Sequence, residues 1–326
     1  MTEPASAAAF ACRLCGSPCD GPFPAREMML GNRDPFDYYA CRDCGAVEIG
    51  AYPADLGAYY PDSYYSLGHQ GGGSRFPRLS RWVRRHRAAR ELGHLDPIGE
   101  LLVRWRGGRE WYQWLRRAGA GFDSAILDVG CGDGRLLRSL RDDGFRRLEG
   151  VDPFTREADR RQPGITIWRD VGEARGPYDV VLMDDSFEHM PDQAGVLAAV
   201  RKLCAPRGTA CVSVPVVGEA WRRYGADWVQ LDPPRHLYLH TERSLGKLAR
   251  EAGFLVADVQ YDSTAFQFWG SEQYRLDVPL NDPRSPAQNP GSTLFTQTQM
   301  QGWEREAQAL NRARTGDHAT FFLRPV

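Results

Sequence analysis

This sequence lacks an excess of charge of either sign. Its 41 Lys and Arg nearly balance 42 Asp and Glu, for a formal charge of −1. No global basic field therefore points to nucleic acid, and none is expected as a partner. Long apolar runs are also missing. The longest are far too short to span a bilayer, so no membrane partner is expected. Met1 to Phe10 contains no basic residue and only a brief alanine stretch, which does not read as a signal peptide. A cytoplasmic location follows as an expectation. Without an export signal, the eight cysteines are expected to be reduced or metal-bound rather than disulfide-paired. What remains is an ordinary soluble composition, 42% hydrophobic and 25% charged over 326 residues, enough for one large domain or two smaller ones.

The chain is organised around Ala125-Ile-Leu-Asp-Val-Gly-Cys-Gly-Asp-Gly-Arg-Leu-Leu137. Ala125 to Leu127 begin a short apolar run of the kind a buried parallel strand shows. Gly130, Gly132 and Gly134 break it, and Leu136, Leu137 and Leu140 resume at helical spacing. Strand, glycine turn and helix make the first half of a nucleotide-binding unit. A dinucleotide fingerprint would place its third glycine one residue later. Asp133 in the turn would also repel a phosphate, and Asp128 near the end of the strand adds a second acid. A cationic ligand without phosphate fits better. At these residues the chain resembles the class I S-adenosylmethionine-dependent methyltransferases, whose first motif reads acid-x-Gly-x-Gly-x-Gly. That resemblance implies S-adenosyl-L-methionine held by Asp128, Gly130, Cys131, Gly132 and Asp133.

Near the N-terminus, Cys12-Arg-Leu-Cys15-Gly and Cys41-Arg-Asp-Cys44-Gly are two metal knuckles by spacing. Together they suit a structural Zn2+ in a tetrahedral thiolate site. Cys19 is a substitute ligand or a bystander thiol, and a redox pair is the alternative to zinc. Tyr52 to Leu67 holds Tyr52, Tyr59, Tyr60, Tyr64 and Tyr65, as a connector or a wall of the substrate site. Gly71 to Gly73 reads as a hinge. Arg75 to Arg90 is expected to be an amphipathic helix with a solvated basic face, Leu79, Trp82 and Val83 lying between the arginines. Trp105 to Arg117 is expected to be a second helix.

From Ser124 onward strands and helices alternate, which argues for a parallel sheet. A strand at Arg147 to Val151 ends in Asp152, about twenty residues past the glycine loop and placed for ribose hydroxyls. Asp170 follows a third strand, Ile165 to Trp168, as an adenine contact or a turn residue. A fourth strand, Tyr178 to Met183, leads to Asp184, Asp185 and Ser186, and then to Phe187-Glu188-His189-Met-Pro-Asp192. A helix over Gln193–Cys204, Pro206-Arg-Gly208, a fifth strand and Pro215 follow. This order resembles the small-molecule branch of the class I methyltransferases over residues 124–262. A connection over 215–240 carries Trp221, Trp228 and Asp232-Pro-Pro-Arg-His236. Thr241 is expected to cap the next helix, and Phe254 to Tyr261 is the sixth strand. An insertion over 263–316, with a helix from Gln299 to Arg314, precedes a last strand at Ala319 to Leu323. The resemblance implies an antiparallel edge hairpin of the final two strands.

The expected fold is α/β: a Rossmann-like seven-stranded methyltransferase sheet with a small N-terminal zinc-ribbon-like module. The expected layout is a zinc-binding module and tyrosine-rich connector over 1–68, a helical linker over 69–120 and the methyltransferase domain over 121–326. The four-cysteine module before this core is similar to the zinc-containing sugar C-methyltransferases, whose further C-terminal domain has no counterpart here. The implied activity is in-line methyl transfer to a small or glycosylated metabolite, with a nucleotide-linked sugar among the candidates. Cofactor residues on that reading are Asp128, Gly130, Cys131, Gly132, Asp133, Asp152, Asp170 and Asp184. Base candidates are His236, His189 and Glu188, since histidine titrates near neutrality. His189 could instead pack at a helix start, and His236 could cap the Thr241 helix or stack on Trp228. Arg235 could bind an anionic part of the substrate. An RNA methyltransferase and a non-catalytic cofactor-binding subunit are the alternatives.

Overall fold

A computed structural model describes residues 10–60 and 77–326. Tyr64, Tyr65, Gly71 to Gly73 and Arg75 lie outside the described residues. In chain order the first part supplies β1 (Cys19–Arg26), β2 (Pro35–Cys41) and β3 (Val47–Ile49), then helices α1 (Pro77–Glu91), α2 (Pro97–Arg106) and α3 (Glu110–Arg117). Strands β4 (Ala125–Val129) and β5 (Arg147–Val151) flank α4 (Arg135–Asp143). Next come β6 (Arg161–Gln162), β7 (Ile165–Trp168), β8 (Tyr178–Asp184), α5 (Gln193–Leu203) and β9 (Cys204–Pro215). The remainder is α6 (Glu219–Tyr224), β10 (Tyr238–Leu239), α7 (Glu242–Glu251), β11 (Phe254–Tyr261), α8 (Phe266–Arg275), α9 (Gln297–Ala313) and β12 (His318–Pro325).

The central sheet runs β11-β12-β9-β8-β4-β5-β7-β6. Its middle pairings, β4 with β5 and β8, β5 with β7 and β8 with β9, are parallel. β12 lies antiparallel between β9 and β11 and forms the edge hairpin. The two-residue β6 adds an eighth strand beside β7. Every residue of β4 is buried, as a strand covered by helices on both faces must be. Leu127, Val181 and Val212 pack into one core with α5 and α7 residues such as Leu197 and Leu245. Ile126, Val180 and Leu182 pack into the opposite core with Leu137, Tyr112 and Leu115.

The second sheet, β1-β2-β3-β10, joins the N-terminal strands to one from the 215–240 connection. β10 pairs antiparallel with β3, Tyr238 opposite Glu48 and Leu239 opposite Val47. Tyr38, Val47 and Ile49 share a core with Trp228, Leu231, Leu237, Phe268 and Ala307. The cysteine module, the 215–240 connection and the 263–316 insertion therefore pack as one body.

Several expected boundaries shift. The helix expected over Trp105–Arg117 is two helices, because Gly107 takes a left-handed φ of 76° and ends α2. α9 starts earlier than Gln299, where Thr296 and Gln299 close a capping box. The arginines of α1 are not a simple solvated face. Arg84 pairs with Asp143 at 3.1 Å and Arg87 with Glu91 at 3.9 Å, while Arg90 pairs with Glu100. Leu79 and Trp82 are the exposed side chains instead. Among the described residues no helix is long and apolar enough to cross a membrane.

Candidate active site at the carboxyl edge of the sheet

In an open α/β sheet, ligands bind outside the carboxyl ends of the strands. At this edge the loop after β4 turns sharply through Gly130, whose φ is 86°. A β-carbon at Gly130 would lie 2.3 Å from that of Ser186, so the loop and the segment after β8 touch here. The Ser186 hydroxyl locks that contact by donating to the Val129 carbonyl at 2.7 Å. Asp128 and Asp152 are both buried. Burial, followed by the charge of Asp152, pushes the Asp128 carboxyl up to about 7.

The Asp152 carboxylate accepts from Gly132 N at 3.0 Å, Phe154 N at 2.8 Å and Thr155 N at 3.1 Å. About four lone-pair positions exist on a carboxylate, so roughly one is left for a ligand hydroxyl. Asp133 is tied to the start of α4, accepting from Arg135 N and pairing with Arg138 at 2.9 Å. The Cys131 sulfur fills the space beside Gly150, which leaves its backbone as the part offered to a ligand. Asp170 accepts from Gly172 N at 2.8 Å and caps a short turn. Asp184 ends β8, exposed at this edge.

Beside the glycine loop, the turn after β8 and the connection before β10 bring three candidates together. The ligand atoms of Glu188, His189 and His236 all lie within 4.8 Å of one another. Glu188 is fully buried, and among the described residues neither carboxyl oxygen has a hydrogen-bond partner. His236 Nε2 stands 3.8 Å from Glu188 Oε1, and His189 Nε2 stands 3.9 Å away. His236 Nδ1 faces the Gln230 carbonyl at 2.7 Å, and His189 Nδ1 faces the Arg235 carbonyl at 2.8 Å. A carbonyl only accepts, so each Nδ1 carries the hydrogen and each Nε2 presents a lone pair. Burial pushes the Glu188 carboxyl well up, aided by Asp185. Burial likewise pushes His189 down to about 4 and lowers His236, so both rings are neutral near pH 7.

The cap and stacking alternatives for His236 do not hold. Thr241 itself caps α7 in a capping box with Ser244, and Trp228 Nε1 donates to Asp317 at 2.9 Å. The ring facing His236 is His189, with centroids 4.8 Å apart. Tyr60 closes the space between cofactor edge and cluster, 6.1 Å from the His189 ring and 6.5 Å from Phe154. Arg235 is not an anion site. It is fully buried, with Nη2 at 3.0 Å from Glu27 and 2.6 Å from Asp232.

Sequence reasoning missed His318, the first residue of β12. It lies 2.9 Å from Asp185 and 2.5 Å from Asp262. Burial opposes its charge, but the two carboxylates outweigh that and hold it protonated well above the ordinary range. Asp185 also takes a left-handed φ of 43°, which costs energy in a non-glycine residue and is common at functional sites. Clefts also open elsewhere on the molecule. One of about 390 Å³ opens among Leu148, Ile165 and Tyr178, but it lacks this constellation of acids and imidazoles.

In the N-terminal module, Cys12 Sγ and Cys44 Sγ are 3.7 Å apart, and Cys15 Sγ and Cys41 Sγ are 3.4 Å apart. A tetrahedral thiolate shell with bonds of about 2.3 Å needs sulfurs about 3.8 Å apart, so the four cysteines fit a zinc module. The Cys19 thiol turns to the Ser17 carbonyl at 3.8 Å.

Residues 102–259 match the family described as a methyltransferase domain. Those residues form an S-adenosylmethionine-dependent methyltransferase domain. The chain is 27% identical over 180 residues to a ubiquinone biosynthesis O-methyltransferase of Aeromonas salmonicida, covering 48% of this chain and 74% of that one. A protein of the same name from Methylococcus capsulatus is 32% identical over 130 residues, covering 36% of this chain and 54% of that one. Among solved structures, a methyltransferase in complex with the Haloferax volcanii Trm112 methyltransferase activator aligns with a TM-score of 0.45 at 20% identity, covering 76% of this chain and 98% of that one. In a methyltransferase of this class the cradle around Gly130 suits its cofactor. Buried Asp128 beside Asp152 is an acid pair that favours a cationic ligand, and S-adenosyl-L-methionine carries a sulfonium and an ammonium.

Proposed function

We propose that this methyltransferase methylates an oxygen of a small-molecule acceptor whose hydroxyl is ionised at Glu188, His189 and His236. The observation that carries the reading is the buried cluster itself: two imidazole lone pairs and a carboxyl group with no hydrogen-bond partner among the described residues, beside the glycine loop. Bound at the Gly130 loop, S-adenosylmethionine supplies a methyl group already activated on sulfur. The protein then has to align the acceptor and remove its proton. Oxygen as the acceptor atom is supported by the O-methyltransferases among its relatives. Asp152, Asp128 and the backbone at Gly130 and Gly132 hold the cofactor on this reading. Asp170 and Asp184 edge the same face, and Asp133 shapes the loop by fixing the start of α4. A free diphosphate would find Arg235 already satisfied, so phenolic or sugar hydroxyls without that group are preferred over nucleotide-linked sugars. Zn2+ at Cys12, Cys15, Cys41 and Cys44 is structural.

The test is incubation with methyl-labelled cofactor and a panel of phenols, sugars and nucleotide sugars, with mass detection of the product. An O-methylated product is expected. In His236→Asn, kcat should fall by roughly 10²–10⁴ with cofactor affinity unchanged, the pattern of a lost group that ionises the acceptor. Label found only on carbon, nitrogen or RNA would overturn the reading.

A further inference from the structure

We infer that Glu188, His189 and His236 bind a divalent first-row metal ion that takes the acceptor's oxygen as a further ligand. The inference rests on the reading of this cluster as the acceptor site and says how that site works. Two neutral imidazoles and one carboxylate are a set that suits such ions and leaves coordination positions open. The ligands come from two elements, the turn after β8 and the connection before β10, and converge on one point. Metal bonds of about 2.0–2.2 Å place neighbouring ligand atoms about 3.0–3.5 Å apart. The observed 3.8 and 3.9 Å separations need roughly 0.3–0.9 Å of closure, within a set whose ligand atoms all lie within 4.8 Å of one another.

Two independent features support a cation. Both rings donate Nδ1–H to backbone carbonyls, the outer-shell bond that orients a metal-binding histidine and aims Nε2 inward. And Glu188 is fully buried with both oxygens unpartnered among the described residues, although a carboxylate without partners is costly in a protein interior. Its neighbours are lone pairs rather than donors. A divalent ion would displace the Glu188 proton and take the three inward-facing lone pairs as ligands. An acceptor hydroxyl coordinated to it becomes acidic, and its proton passes to solvent water.

The cysteine site must be kept separate. Thiolates take zinc, whereas Mn2+ prefers nitrogen and oxygen ligands. Protein with zinc at the cysteines is cleared of loosely held metal by EDTA and titrated with Mn2+, read by the loss of the free-ion EPR signal. One Mn2+ per chain is expected, with affinity falling at least tenfold in both Glu188→Gln and His236→Ala. Zinc content and calorimetric cofactor binding verify that the variants fold. If either fails to fold, Co2+ added to the wild type must show ligand-field bands without thiolate charge transfer. No Mn2+ or Co2+ bound by the wild type, or Mn2+ bound equally by both variants, overturns the inference. In that case a turnover defect in His236→Asn would still uphold the acceptor site. Mn2+ bound as expected, with normal turnover by His236→Asn in chelator, would instead remove the acceptor reading and leave the metal site.

Discussion

Arg235 offers the sharpest test of how the two halves of the molecule depend on each other. Its guanidinium is fully buried and joins Glu27 of the N-terminal module to Asp232 of the connection that carries His236. Nε adds a bond to Asp232 Oδ2 at 2.8 Å, and Nη1 reaches the Tyr59 carbonyl at 3.3 Å. Arg235→Met keeps the apolar stem and removes the fork. Breaking a buried pair from one side typically costs about 3–5 kcal/mol, because a charge is left uncompensated. Here the cost should sit at the low end. Glu27 retains three backbone donors, Leu30 N, Gly31 N and Asn32 N, at 2.8, 2.9 and 3.0 Å. Asp232 is partly open to water, with 14% of its side chain exposed. We expect a loss of about 3 kcal/mol in urea unfolding, a large share of the roughly 5–15 kcal/mol of a typical domain. Cofactor affinity, which we place at the Gly130 loop, should hold, while acceptor turnover falls because the connection is no longer anchored. A change below about 0.5 kcal/mol, the size of an ordinary surface substitution, would refute the account of Arg235 as a buried clamp.

Gly130→Ala should abolish measurable cofactor binding by calorimetry, since the new β-carbon at φ 86° would meet Ser186 at 2.3 Å; retained affinity would show that the loop moves freely. Metal analysis should find about one zinc per chain after EDTA treatment, and Cys15→Ser should remove it and lower the unfolding temperature, because a structural site contributes folding free energy directly. Asp128 sets a pH dependence. Its carboxyl moves from an ordinary 3.8 up to about 7 in the folded protein, so its contribution to stability falls as pH rises between those values. For a cationic cofactor the sign is opposite: affinity should rise as pH climbs through about 7, and Asp128→Asn should flatten that rise in calorimetry.

What could be read from the sequence was local in the chain. The apolar run into Gly130, the acid at Asp152 and the Glu188-His189 pair each announce themselves within one strand and its following turn, where period and glycine decide conformation. The cysteine spacing is likewise a property of two short knuckles. What escaped is held by contacts across long sequence separations. His318 reads as an ordinary residue at the start of a strand until β12 inserts beside β9 and brings it to Asp185. Nothing near Tyr238 signals that it will pair with Glu48, because a two-residue strand has no period of its own. Arg235 next to a histidine looks like a ligand group; only the fold shows that Glu27 and Asp232 have taken its donors. The same distinction explains why His236 was found and its setting was not. Its imidazole is named by chemistry, but the direction of Nε2 is set by the Gln230 carbonyl on one side and by β10 on the other. Tyr38 reinforces this from the N-terminal module, donating its hydroxyl to the His236 carbonyl at 2.9 Å. The module that holds the four cysteines therefore reaches the proposed acceptor site through hydrogen bonds to the backbone around His236, and unfolding it should disturb the acceptor before the cofactor.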